Sequence, residues 1–213
     1  MSRCMAMNVL GIGLSDAKCY EDALSVKEAE LSMLRRLGVS EESILVAQGN
    51  LAITYGALGR VEQATRLLRD VYSGWASLQG EEHENTFVAA DNYARTLLVL
   101  GRFKEAKTLL RKTVPVARRV FGESHETTLR MRTNYARSLY SGDDAPLDDL
   151  REAVTTFEDS GRIARRVFGE SHPFTTGIES GLLNSRAVLR DRETMGDVSS
   201  LREAMEAMTS GDA

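Results

Sequence analysis

Apolar residues recur three and four positions apart along most of the chain, which is the spacing of one face of an α-helix. In the middle of the chain this pattern predicts one helix over Glu84–Val99 and a second over Phe103–Phe121. Gly101 lies between the two, where it ends the first helix and lets the chain turn. Gly122 is expected to cap the second helix in the left-handed conformation. The pattern therefore predicts antiparallel helix pairs joined by tight turns.

The helix pair repeats with a period of 42 residues. The motif Asn50-Leu51-Ala52 returns as Asn92-Tyr93-Ala94 and again as Asn134-Tyr135-Ala136, in steps of 42. The turn Leu58-Gly59-Arg60 returns as Leu100-Gly101-Arg102 at the same spacing. A single helix pair cannot cover its own apolar face, whereas stacked neighbours can, so the array is predicted to be the folding unit.

The period lengthens in the second half of the chain. Residues 117–125 return unchanged as residues 164–172, a step of 47, and Asp143–Pro146 lies where we predict the inserted loop. Leu201–Met205 echoes Leu150–Val154, which predicts the second helix of a fifth unit. We therefore predict a single array over residues 1–213. Its repeats lie at about 1–42, 43–84, 85–126, 127–173 with the loop insertion, and a degenerate 174–213.

Leu51-Ala52, Tyr55, Gly59 and Ala64 resemble the tetratricopeptide repeat, and with the Gly-Glu-Ser-His-Pro-x-Thr turn at 169–175 the units resemble those of kinesin light chains. That family has a period of about 34 residues, so this version is longer, and a period of 42 also falls in the armadillo and HEAT range. The resemblance implies an all-α fold, a right-handed superhelical α-solenoid of antiparallel helix pairs. The heptad segment that joins kinesin light chains to a heavy chain is absent, so no motor subunit is inferred.

The resemblance also implies a concave groove lined by the first, or A, helix of each pair. Asn50, Asn92 and Asn134 would face this groove, where an amide can both donate to and accept from a peptide backbone. Arg95, Arg137 and Arg130 would stand one helical turn away, and arginine binds carboxylates through paired hydrogen bonds. The alternative is that the asparagines recur only because the unit was duplicated. The expected function is an adaptor that binds a peptide, with an acidic peptide favoured.

Local charge adds to this expectation, although the net charge is only −4. Ten basic and three acidic residues lie between Arg102 and Arg137, while the insertion and the helix after it are acidic. A basic middle would steer an acidic partner toward it. The alternative is that these charges form solvated faces of the second, or B, helices and pair with one another. Binding of single-stranded RNA rests on the same basic stretch alone, so nucleic acid is not the expected partner.

The three histidines, His83, His125 and His172, occupy the same place in successive turns. Stacked helices lie about 8–10 Å apart, which is too far for residues one repeat apart to share a metal ion. They are therefore predicted to be capping or turn residues. No nucleophile elbow, phosphate-binding loop or metalloprotease motif occurs, so we expect no catalysis, no metal and no cofactor.

Two cysteines, Cys4 and Cys19, give no disulfide framework, which favours a reduced, cytoplasmic location. No apolar run is long enough to cross a membrane. The apolar segment 5–14 is predicted to be the first repeat helix, with a targeting segment as the alternative. Methionines near both ends suggest the second function considered, a structural solenoid that forms a homo-oligomer or belongs to a larger assembly.

Overall fold

The computed structural model describes the backbone of residues 3–210 and the side chains of residues 3–195. All regular secondary structure in that part of the chain is helical. The helices are α1 (Arg3–Asp16), α2 (Tyr20–Leu37), α3 (Glu41–Ala57), α4 (Val61–Gln79), α5 (Glu84–Val99), α6 (Phe103–Phe121), α7 (Glu126–Tyr140), α8 (Leu147–Phe168) and α9 (Pro173–Ser210). The all-α helical-repeat fold is thereby confirmed.

The two helices predicted in the middle of the chain are α5 and α6, with the predicted bounds. Gly101 has a φ of +70°, so the tight turn after α5 uses the freedom that glycine alone has there. Gly122 was predicted to be left-handed, and this was wrong in detail. Its φ is +86° but its ψ is 170°, an extended conformation that is essentially restricted to glycine.

The chain divides into two compact units, residues 1–122 and residues 123–213. Unit 1 holds three antiparallel pairs, α1–α2, α3–α4 and α5–α6, in which each helix packs on the next along the chain. Alanines lie where helices approach most closely. The side chains of Ala23, Ala52, Ala64, Ala94 and Ala106 are completely buried. The repeating alanines noted in the sequence therefore serve close helix packing.

Leucines and one tryptophan fill the spaces between the helices of unit 1. One cluster joins α2 to α3 through Leu24, Leu31, Leu34, Ala47 and Leu51. A second cluster brings Leu45, Val71, Trp75 and Ala89 together from α3, α4 and α5. Each large apolar side chain buried in this way contributes about 1.5–3 kcal/mol. Helix stacking, as the repeat predicts, therefore supplies the core.

Unit 2 comprises α7, α8 and α9. Phe157 of α8 is fully buried and packs with Ala136, Leu139 and Ile178. A Cβ atom on Gly181 of α9 would lie 2.6 Å from Cε1 of Phe157, so only glycine permits this approach of the two helices. The predicted inserted loop is the link between α7 and α8, at residues 141–146.

The fifth repeat differs from its prediction. Instead of two helices, the backbone forms one helix of 38 residues, α9, with no turn before Leu201–Met205, and the side chains of that segment lie outside the described residues. Arg192 donates to the backbone oxygens of Asp143 (2.5 Å) and Ala145 (3.1 Å) in the inserted loop. Glu193 pairs with Arg151 at 3.0 Å. These contacts fasten α9 where a turn would have to begin.

Within residues 3–210, none of the helices is both long enough and apolar enough to cross a membrane. The apolar segment near the N-terminus is α1, which packs on α2 as the first helix of the array.

Candidate peptide-binding face

One stripe of residues on each of the A helices α3 and α5 is left uncovered by the core. The residues are spaced four, three and four apart, so they share one side of the helix. They are Val46, Asn50, Ile53 and Ala57 on α3, and Val88, Asn92, Arg95 and Val99 on α5. We call these two stripes the A face of unit 1.

The A face mixes amide, cationic and apolar groups. Ile53 is 55% exposed and Val99 is 71% exposed, although neighbouring Ala52 and Ala94 are fully buried. The exposed valines were missed by the sequence reasoning. The 42-residue step could have revealed them, because Val46 and Val88 occupy the position of Arg130.

Asn50 and Asn92 are half-buried on the A face. Neither side-chain amide makes a hydrogen bond to another residue of the described chain. A half-buried amide without an internal partner has donors and an acceptor available for a ligand. The contact of these two amides with a ligand stays a prediction.

The Nζ atom of buried Lys27 approaches α3 from behind the A face. It donates to Oγ1 of Thr54 at 2.8 Å, to Oγ of Ser15 at 2.8 Å and to the backbone oxygen of Asn50 at 3.4 Å. Burial lowers the pKa of Lys27, while the negative charges of Glu30 and Asp16 oppose that shift. A positive charge therefore lies beneath the segment of α3 that carries Asn50.

Arg95 is exposed and makes no ion pair or hydrogen bond with the rest of the described chain. Because its guanidinium group is not neutralised internally, it can accept a carboxylate from outside. Arg95 and Asn92 share α5 one turn apart, which places an amide and a cation side by side.

The corresponding residues of unit 2 lie on α7. Arg137 is exposed and has no ion pair within the described residues. Arg130 is half-buried and pairs with Glu126 at 3.4 Å. Asn134 is only 7% exposed and already interacts within the protein. On α7 the charge is therefore more accessible than the amide.

A fourth asparagine belongs to the same register and was missed. Asn8 on α1 lies 42 residues before Asn50. Its side chain hydrogen-bonds Glu30, whose pKa is raised by burial and lowered in turn by this bond and by Lys27. In the first repeat the asparagine thus holds a buried carboxyl group.

The histidines are helix caps, as predicted. Nδ1 of His83 accepts a hydrogen bond from the backbone N–H of Asn85 at 3.2 Å. His125 and His172 make the same contact at the start of α7 and α9, at 3.3 and 3.2 Å. Their recurrence in the sequence reflects a repeated turn.

Several cations of the basic stretch are neutralised by nearby acids, some in the turns between helices and one in α6 itself. Arg102 pairs with Glu105, Lys112 with Glu81 and Arg119 with Glu82, each at 2.5 Å. Arg132, buried on α7, pairs with Glu123 at 2.8 Å. For these residues the alternative of mutually paired surface charges is the better account.

Comparison with known proteins finds a family model that matches part of the chain. Residues 43–116 match the family model of the tetratricopeptide repeat. No curated protein sequence matches the chain. The matched segment covers α3 to most of α6, which are the helices that carry the A face of unit 1.

Solved structures extend the likeness over nearly the whole chain. Two crystal structures of the nearly identical TPR-like repeats of a protein described as a kinesin light chain, from Podosopora anserina, have TM-scores of 0.75 and 0.73. Each is 22% identical, covering 97% of this chain and 96% of that one. BtubC (BKLC) from P. vanneervenii is 18% identical to this chain, with a TM-score of 0.70. The match covers 94% of this chain and 80% of BtubC.

The molecule is thus a helical-repeat protein of antiparallel helix pairs. More narrowly, residues 43–116 match the tetratricopeptide repeat, and the fold is similar to that of the kinesin-light-chain-like repeats.

Proposed function

We propose that this chain is an adaptor that binds an extended acidic peptide on its A helices, without catalysing a reaction. The proposal rests on one observation: the A face of unit 1 carries two side-chain amides and one cation that make no hydrogen bond or ion pair within the described chain. These groups are Asn50, Asn92 and Arg95.

The chemistry of the A face favours an extended acidic ligand. An asparagine amide can both donate to and accept from a peptide group, so successive amides suit a chain without internal hydrogen bonds. Arg95 supplies a carboxylate partner, and the buried Lys27 adds positive potential behind Asn50. Val46, Ile53 and Val99 add apolar surface for side chains between the acidic ones.

For unit 2, taken by itself, we propose that Arg137 of α7 is available to a carboxylate. Arg130 would first have to exchange Glu126 for the ligand. We expect Asn134 to contribute less than Asn50 and Asn92, because its amide is buried and already engaged. A reduced, cytoplasmic setting is part of the proposal, supported by the free thiols of Cys4 and Cys19.

Fluorescence anisotropy with matched acidic, neutral and basic peptide libraries tests the proposal. Asn50→Ala/Asn92→Ala should weaken binding of the best acidic peptide by roughly tenfold or more, because each net hydrogen bond contributes about 1 kcal/mol. Arg95→Glu should weaken it by at least about tenfold, since a charged hydrogen bond is replaced by repulsion.

Arg111→Glu is the matched control for Arg95→Glu. Arg111 is equally a surface arginine without an ion pair in the described chain, but it lies on the B helix α6. We expect this variant to bind normally. Equal loss in the two charge reversals, or tight binding only of basic peptides or RNA, would reject the proposed site.

A further inference from the structure

The side of α9 that ought to be covered by a B helix is open. Leu183 lies 47 residues after Ala136, at the equivalent position of the repeat. Ala136 is fully buried, whereas Leu183 is 67% exposed. Arg186 and Ala187 are likewise exposed, although their equivalents on α7, Leu139 and Tyr140, are buried and half-buried. We call Leu183, Arg186 and Ala187 the open face of α9.

A depression of about 310 Å³ adjoins this face between α8 and α9. Its apolar lining includes Phe157, Gly161, Ile178 and Leu182, and salt bridges border it, among them Arg165–Glu179 at 2.8 Å. In unit 1 the equivalent side of the A helix α5 is covered by the B helix that follows it. There Leu97, the equivalent of Arg186, packs with Ala106 of α6. The shape therefore fits one more B helix.

The chain contains a sequence suited to that position. Leu201, Ala204 and Met208 have the spacing of Leu150, Ala153 and Phe157, the fully buried stripe of α8. The segment 197–210 thus has the apolar pattern of a B helix, with an alanine at the point of closest approach.

This segment cannot reach the open face of its own chain. Leu183 and Ala204 lie 21 residues apart on one continuous helix, which separates them by about 32 Å. Arg192 and Glu193 hold that helix to the inserted loop and to α8. Folding back would require a turn where the structure has anchored helix.

We propose that two copies of the chain associate through antiparallel α9 helices, so that residues 197–210 of each copy cover the open face of the other. When Ala204 of the first copy lies beside Leu183 of the second, Leu183 of the first copy also lies beside Ala204 of the second. A two-fold symmetric contact requires this. The symmetry axis passes between residues 193 and 194. Arg190, exposed and without an ion pair in the described chain, then lies opposite Asp197 of the second copy.

Cross-linking between differently labelled copies tests this directly. In a Cys4→Ala/Cys19→Ser background, one full-length chain carries Leu183→Cys and a second carries Ala204→Cys. We expect a short bis-maleimide to join the two into a species of twice the 23.5 kDa chain mass. Arg202→Cys in place of Ala204→Cys is the matched control and should react far less, because residue 202 lies on the opposite side of a helix.

Light scattering on the full chain gives an independent readout. We expect a dimer that Leu183→Glu converts to a monomer with unchanged helicity, since Leu183 is already exposed in one copy. Leu10→Glu, on the 54% exposed Leu10 of α1, should leave the dimer intact. A strictly monomeric chain, or no more cross-linking through Ala204→Cys than through Arg202→Cys, overturns the proposal.

Discussion

The helix pairs α1–α2 and α5–α6 have the same topology but different interiors. Four residues after the fully buried alanine of the B helix, α6 has Leu110, whose exposure is 0%. At the same place after Ala23, α2 has Lys27, which is only 4% exposed. Three residues further on, α2 buries Glu30 and α6 buries Thr113.

The difference shows that the repeat tolerates a buried charge where every donor finds an acceptor. Lys27 donates one hydrogen bond to α1, at Ser15, and two to α3, at Thr54 and the backbone oxygen of Asn50. Glu30 has Asn8 and Lys27 as partners. An isolated buried ammonium group would be prohibitively costly. The first pair thus exchanges apolar packing for a polar network that joins three helices.

The largest effect is expected from placing a charge at the equivalent apolar position of α6. Leu110→Lys should destabilise the protein by about 3–5 kcal/mol, because an ammonium group would replace a leucine side chain whose exposure is 0%. The free energy of unfolding in urea measures this change. Leu110→Met keeps the apolar volume and should cost less than about 1.5 kcal/mol. Equal stability of the lysine and methionine variants would refute the contrast.

The converse change gives α2 the apolar residues of α4, where Leu68 and Val71 follow Ala64 at the same spacing. Lys27→Met alone should cost about 1–3 kcal/mol, because Glu30, Ser15 and Thr54 lose a buried partner. Lys27→Met/Glu30→Val should recover most of that loss, since both charges are removed together. A double variant less stable than the single one in urea unfolding would contradict this coupling.

Two glycines of α1 provide a finer test of how firmly Lys27 is held. A Cβ atom on Gly11 would lie 3.0 Å from Cγ of Lys27, whereas one on Gly13 would meet nothing within 4 Å. Gly13→Ala should stabilise the helix by up to about 1 kcal/mol. Gly11→Ala should forfeit that gain, because the hydrogen-bonded lysine cannot move aside. Thermal unfolding of both variants checks the difference, and identical gains would mean that Lys27 is loosely held.

The smallest effect concerns pH. Burial lowers the pKa of Lys27, so the folded chain releases this proton first and its stability rises with pH between that lowered pKa and the ordinary 10.5. Burial raises the pKa of Glu30, so stability also rises as pH falls from that raised pKa toward 4.5.

The free energy of unfolding of the unaltered protein, relative to that of Lys27→Met/Glu30→Val, should therefore be lowest near neutral pH, where both groups are charged. Urea unfolding of the two proteins across the pH range measures this difference. A difference that does not vary with pH would show that neither group is perturbed by its burial.

Periodicity in the sequence was sufficient for the features that depend on neighbouring residues. It predicted the bounds of α5 and α6, the long α7–α8 loop and the capping role of His83 because helix spacing and turn chemistry are local. The buried Lys27 escaped notice, although its place four residues after Ala23 marks it as a core position.

Contacts between distant parts of the chain could not be predicted in this way. In α9, Arg192 donates to the backbone oxygens of Asp143 and Ala145, which are 49 and 47 residues away. The repeat pattern at Leu201–Met205 instead favoured a helix pair. Asn134 is buried, whereas Asn50 and Asn92 are half-buried. This difference arises from packing, which the recurrence of asparagine in the sequence does not reveal.

The most direct measurement of the central claim is photo-cross-linking of the best acidic peptide to the full chain, followed by mass spectrometry of the joined fragments. We predict cross-links to the A helices, above all to the A face of unit 1 near Asn50, Asn92 and Arg95. Cross-links confined to the B helices α4 and α6 would contradict the account.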